Sequence, residues 1–287
     1  GADVRFGTGV WDDPFAWDLH VAGIAIGTGT AYVVGGVCII GVLLRGVQDL
    51  QLKPADLIPK LSVFWRIARI GIPSFFEGLS MWSANLFVLY FIGQIAAKLA
   101  RETGDGIAQG LQGAHVIAVQ WEAFSFLPGF AIGTAAGTLA GQYLGAGNFK
   151  DARKSTLVCV LLAMLFMGTM GLVMIFGGSF LTSVISNEPM HLALVPRLLF
   201  IAGVTQLGFA VMMVIRQSLK GVGDTGWTFL ITTISSWGIR IPAAWYFGIH
   251  LEYGLVGIWY ALCGEIVIRA CLFMLRFFQG GWTKRQL

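Results

Sequence analysis

Thr156 to Ser186 reads TLVCVLLAMLFMGTMGLVMIFGGSFLTSVIS, a run with no Asp, Glu, Lys or Arg. A helix that spans a bilayer needs about 20 mostly apolar residues, so this stretch predicts a membrane helix with length to spare for tilt or protrusion. The rest of the chain repeats the pattern. Of 287 residues, 56% are hydrophobic and only 12% charged, against about 25% charged in a soluble domain. Mean hydropathy is +0.75. Charge this sparse excludes a soluble enzyme, a disordered chain and a coiled coil. Together with 156–186, the runs 21–44, 70–96, 114–143, 192–218, 226–248 and 254–278 give about seven transmembrane helices. Punctuation such as Leu52-Lys53-Pro54, Gly145-Ala146-Gly147-Asn148 and Gly221-Val222-Gly223-Asp224 separates them.

Basic residues orient the spans, because cytoplasmic loops collect Lys and Arg. The alternate segments 45–69, 145–155, 219–225 and 276–285 hold twelve of them. The opposite side holds four, Arg5, Lys98, Arg101 and Arg197. The reading is a multi-pass protein of the plasma (inner) membrane, N-terminus of this segment outside and C-terminus cytoplasmic. The chain opens on GADVRFGTGVWDDP, without an initiator Met or a signal peptide. An outside N-terminus of that kind carries the expectation that an upstream set of spans precedes it.

Small residues let membrane helices approach closely. Gly129, Gly133, Gly137 and Gly141 form a four-residue ladder, as do Gly23, Gly27, Ala31 and Gly35. Pro128 and Pro242 fall at membrane depth, where each removes a backbone hydrogen bond, and are the hinge candidates.

An ionisable residue inside a span costs about 2.5–3.5 kcal/mol on insertion scales and needs a partner, water or a function. Glu77 shares a stripe with Ser74 and Asn85. Glu122 lies two helical turns before Gly129 on the same face and points at a neighbouring helix or an internal cavity. Both are candidates for cation coupling, Glu122 ahead. Arg240 ends the run Thr228, Thr232, Ser236 at four-residue spacing, a stripe that lines water or packs on another polar face. Arg240 pairs with an intramembrane carboxylate or snorkels outward. Glu265 and Arg269, four apart with the acid first, suit a pair within one helix. Arg216 is expected to snorkel to the inner surface. Arg240, Ser236, Asn85 and Gln206 are the polar-pathway candidates. Trp82, Phe124, Phe126 and Trp237 stand near these positions and are the substrate-cavity candidates, since aromatic faces beside carboxylates suit apolar cations.

Several chemistries have no signature. There is no GxxxxGK, HExxH or GxSxG, so no enzyme activity is expected. Cys38, Cys159, Cys263 and Cys271 lie in apolar stretches without metal or disulfide spacing. No cofactor or metal is expected beyond a coupling ion, H+ or Na+. Basic residues form no patch for nucleic acid.

One set of motifs is more specific. It begins Gly113-Ala114-His115-Val116-Ile117-Ala118, then Glu122, then Ser125-Phe126-Leu127-Pro128-Gly129-Phe130, and continues Ala140-Gly141-Gln142-Tyr143-Leu144-Gly145-Ala146-Gly147. This resembles the second-lobe signature of the multidrug and toxic compound extrusion (MATE) family of cation-coupled antiporters. Arg69-Ile70-Gly71-Ile72-Pro73, Leu219-Lys220-Gly221-Val222-Gly223-Asp224-Thr225, Arg240-Ile241-Pro242 and Gly257-Ile258-Trp259 fit the same likeness, which runs over roughly residues 20–285. The resemblance implies two six-helix lobes. Residues 1–20 would be an extracytoplasmic loop, 21–44 the last helix of an incomplete first lobe and 45–69 the cytoplasmic linker. Residues 70–278 would be the six-helix second lobe and 279–287 a cytoplasmic tail. The missing first lobe of the same protein and the lipid bilayer would be its partners, and a small organic compound, often cationic, its substrate. Some members carry an acidic coupling residue midway along the fifth span. Here the stretch reads Thr205-Gln206-Leu207-Gly208-Phe209, with no carboxylate, so proton or sodium coupling stays open. The alternatives are a lipid-linked or polysaccharide flippase of the same superfamily, which a richly cationic cavity would favour, and a seven-helix receptor-like protein.

Overall fold

The computed structural model describes residues 4–6, 9–11, 20–46, 60–103 and 106–284. The chain divides into two compact units, residues 1–65 and 66–287. Much of the expected linker, most of the opening loop and the last three residues of the tail lie outside the described residues.

The first unit holds a short antiparallel hairpin, β1 (Val4–Phe6) with β2 (Gly9–Trp11), Arg5 opposite Val10. Helix α1 (His20–Arg45) follows. Thr30 returns its hydroxyl to the carbonyl of Ile26 at 2.8 Å, which satisfies a polar side chain inside an apolar helix. Gly46 ends α1 with φ +84°, a left-handed stop that glycine adopts without a Cβ clash.

The second unit is all helical: α2 (Leu61–Thr103), α3 (Gly106–Gly145), α4 (Phe149–Ile185), α5 (Pro189–Gly221), α6 (Thr225–Ser235), α7 (Ile241–Trp245) and α8 (Gly254–Gln279). Helix α2 starts nine residues ahead of the expected span and is the longest, at 43 residues. The ends follow local chemistry. Asn148 caps α4 by accepting from the backbone of Asp151, and Asp151 places a negative charge in the first turn. Pro189 opens α5, where its missing N–H costs nothing. Gly280, φ +72°, closes α8.

The sixth span is one helical run with two irregular turns. Residues 236–240 and 246–250 are wider π-helical turns on either side of α7, with the N–H of Ile241 reaching the carbonyl of Ser236. Pro242, at the second position of α7, has no N–H and its ring crowds the carbonyl four residues earlier. A widened turn relieves that crowding without breaking the helix. Six spans therefore make up the second unit, a six-helix lobe of a multi-pass, all-α membrane protein.

Close backbone packing builds the core from α3, α4 and α5. A Cβ added at Gly203 of α5 would stand 2.6 Å from the carbonyl of Gly171 in α4, and one at Gly171 would stand 2.7 Å from that of Gly203. The predicted ladder in α3 packs the same way. Gly137 lies against the backbone of Gln217 and Gly221 in α5, and Gly129 against Met167 of α4. Two apolar clusters fill the lobe, one around Ile92, Leu198 and Trp259, the other around Met167, Ile215 and Phe273. Helix α2 joins the first through Val88, Ile92 and Ala96, a stripe at four-residue spacing.

Candidate functional site

The three carboxylates that the sequence places within spans, Glu77, Glu265 and Glu122, do not share one environment. Glu77, on the buried face of α2, is fully shielded. Arg216 and Lys220 of α5, one turn apart, reach it with Nε at 2.5 Å and Nζ at 2.7 Å. The hydroxyls of Thr228 and Thr232 on α6 donate to it at 3.4 and 3.1 Å. The threonine stripe read from the sequence therefore faces a carboxylate. Arg216 does not snorkel as expected. It pairs across the bundle with Glu77, which spares both groups an uncompensated charge in a low-dielectric setting.

Glu265, on α8, is clamped from two sides. Arg269, one turn on, places its guanidinium 2.6 Å away, and Arg240 reaches the other oxygen through Nη2 at 2.9 Å and Nε at 3.1 Å. Ser235 donates a short hydrogen bond to the same carboxylate. Arg240 also donates Nη1 to Oδ1 of Asn85 on α2 at 3.1 Å, and Arg269 donates Nη2 to Ser236 at 3.2 Å. Arg240 thus pairs inward rather than snorkelling. The Glu265–Arg269 pair forms, but the acid is shared between two cations.

Glu122, on α3, has neither an ion pair nor a hydrogen bond among the described residues. It faces a cavity of about 370 Å³ lined by α2, α3, α5, the sixth span and α8. Trp82, Asn85, Phe126, Arg216, Arg240 and Arg269 share its wall. Phe126 is braced by Phe209 at 5.9 Å between ring centroids. His115, also in the wall, accepts from Nε1 of Trp259 at 3.2 Å.

The other sequence candidates, Gln206, Ser236, Phe124, Trp237, Pro128 and Pro242, are not part of this cavity's wall. Gln206 is buried between α3 and α4, accepting from Ser125 at 2.8 Å and facing Met174. Phe124 is exposed and packs on Trp121. Trp237 donates Nε1 to Ser80 at 2.9 Å and meets Phe87 edge-on. Pro128 lies within α3, which runs unbroken past it. Arg216 and Lys220 were not singled out from the sequence as a pair. Their four-residue spacing, matched by Thr228 and Thr232 on the next helix, was the available signal.

A larger cavity, about 490 Å³, lies at the far end of α2 beside Leu111 and Met190. Its charged rim is the exposed ion pair of Lys98 with Glu252, 2.6 Å apart. The hydrogen bond from Lys98 holds the Glu252 carboxyl below its ordinary value. An exposed pair of this kind does little for stability. Among the described residues no group of three or more His, Cys, Asp or Glu stands together to hold a metal ion.

The model of the MatE family matches residues 112–246, from within α3 to within the kinked sixth span, and so takes in Glu122, Phe126, Arg216 and Arg240 of the cavity wall but neither α2 nor α8. Over 268 residues the chain is 28% identical to the probable multidrug resistance protein NorM of Thermotoga maritima, covering 93% of this chain and 55% of that protein. The chain is also 27% identical to the uncharacterized transporter YisQ of Bacillus subtilis, covering 93% of this chain and 56% of that one. It spans a little over half the length of these relatives. A crystal structure of MATE in the straight conformation superposes on it with a TM-score of 0.74 and 18% identity, over 93% of this chain and 58% of that one. At that identity the likeness speaks for the fold alone.

Proposed function

We propose that this chain works as part of a secondary antiporter. It exports small organic compounds, often cationic, in exchange for an inward flow of protons, with its N-terminus outside and its C-terminus in the cytoplasm. The observation that carries this reading is the difference between the three carboxylates. Glu77 and Glu265 are each neutralised by two cations, whereas Glu122 faces a cavity without a partner. A carboxylate already clamped by two cations keeps its charge. One that faces a cavity can gain and lose a proton as hydration changes. Ionised, Glu122 attracts a cation into a space walled by Trp82 and Phe126, whose ring faces suit an organic cation. Protonated, it loses that attraction. Proton and compound then exclude one another, which couples their flows.

Proton coupling is favoured over sodium. A hard cation takes several oxygen ligands, and Asn85 in the cavity wall already accepts from Arg240. Alternating access at a midplane site requires a second repeat moving against this one, so a further helical lobe is part of the proposal. The test is compound-driven proton release in everted vesicles carrying the full-length protein. Glu122→Gln should abolish it and leave membrane insertion intact. Wild-type exchange with unchanged pH dependence in that variant would place the coupling elsewhere.

A second reading, the flippase, gains support from three arginines in one cavity wall. A lipid-linked oligosaccharide that competes with the organic compound in the same vesicles would favour it.

A further inference from the structure

The charges around the cavity do not balance. Arg216 and Lys220 share Glu77, and Arg240 and Arg269 share Glu265, so each cluster carries one positive charge in surplus. Ionised Glu122 cancels one of the two. Protonated Glu122 cancels neither. These cations are not bathed in solvent: the side chains of Arg216, Arg240 and Arg269 are 15%, 8% and 1% exposed. A buried charge without a counter-charge is among the costliest arrangements in a membrane protein, so something must offset it.

We infer that this cavity binds a small monovalent anion, held by Arg216, Arg240 and Arg269 in competition with the ionised carboxylate of Glu122. All three arginines line the same space. The hydrogen bonds of Arg216 and Arg269 run through Nε and Nη2, and a guanidinium has five N–H donors. Each therefore keeps Nη1 for a further acceptor. A volume of about 370 Å³ is many times the roughly 30 Å³ that one water occupies in the liquid, so the ion enters with part of its hydration.

The groups around Glu122 are Glu77 from α2, His115 from its own helix and Arg216 with Lys220 from α5. The sixth span adds Arg240, and α8 adds Cys263, Glu265 and Arg269. Glu77 and Glu265 are committed to cations, and His115 to Trp259. Glu122 is the acid left to respond to pH, so the anion enters as Glu122 is protonated. The inference rests on charge and burial and holds whether or not Glu122 drives transport.

The purified full-length protein tests it. Its melting temperature is measured in rising chloride or bromide, with gluconate holding ionic strength constant, at mildly acidic and mildly alkaline pH. Wild type should be stabilised by halide in acid and much less in alkali. Glu122→Gln, which removes the competing charge, should be stabilised at both. Its apparent halide affinity in alkali should be at least about tenfold tighter than wild type, the equivalent of one pH unit of competition. Bromide anomalous scattering from crystals grown in acid should place the ion between the three arginines. Melting temperatures indifferent to halide in both proteins, or bromide located elsewhere, would overturn the site. An equal halide response in wild type and Glu122→Gln at every pH would overturn the competition.

Discussion

Helices α2 and α5 are both long, apolar spans of one lobe, yet they are held in opposite ways. Over their most apolar stretches α5 is 61% buried and α2 only 28%. Helix α5 meets α3 and α4 backbone to backbone, at Gly203 against Gly171 and Gly221 against Gly137. Helix α2 stands off, and side chains bridge the gap: Glu77 to Arg216, Lys220, Thr228 and Thr232, Ser80 to Trp237, Asn85 to Arg240, Lys98 to Glu252. The cavity occupies the space those bridges leave. Packed cores hold discrete arrangements and resist gradual deformation. An element tied by long side chains can shift by exchanging partners, so α2 is expected to shift more readily than α5.

The comparison can be broken from the rigid side first. Gly203→Leu drives a branched side chain into the Gly171 carbonyl, which has no flexible end to yield. Overpacking costs about 1–3 kcal/mol and more where backbone must move; no folded protein should be recovered on size-exclusion chromatography. On the other side, Glu77→Gln leaves two cations of α5 without their carboxylate. Truncating one partner of a buried pair costs about 3–5 kcal/mol, and partial exposure of Arg216 and Lys220 places this variant at the low end. It should fold, with a lower midpoint in denaturant titration. A smaller effect is expected from Trp237→Phe, which deletes a single neutral hydrogen bond to Ser80, worth about 1 kcal/mol. If it destabilised as much as Glu77→Gln, the ion cluster would not be the main tie of α2.

Glu122→Gln breaks no direct hydrogen bond or ion pair but removes the negative charge that shares a cavity with three arginines, so with halide present to offset them it should lose no more than about 1 kcal/mol, while removing pH-dependent exchange. A large loss of stability would mean that Glu122 is a strut. The smallest effect belongs to Lys98→Met. Glu252 is held below its ordinary value by Lys98, so the pair contributes above the usual carboxylate range and fades as acid protonates Glu252. Because both groups are exposed, the melting temperature should not move measurably at neutral pH, and salt should mimic the variant.

The resemblance in residues 113–147 and the charge-free runs suffice to read a six-span lobe from the sequence. Hydropathy works here because a membrane helix satisfies its backbone internally and leaves composition as the signal. The glycine ladder of α3 was equally legible, since spacing alone sets which face small residues share. Partner choice was not. Arg216 read as a snorkelling residue and Arg240 as a residue with two options, because periodicity reports a face and says nothing of what stands opposite.

The sequence by itself therefore determined the spans, the small-residue seams and the presence of three intramembrane carboxylates. Only the tertiary structure decided that two of them are clamped by pairs of cations and that Glu122 alone opens on a cavity. The reason is range. Burial of apolar side chains and helix periodicity are local properties of consecutive residues. The state of a charge depends on groups far away in sequence: Glu77 lies 139 residues from Arg216 and 155 from Thr232.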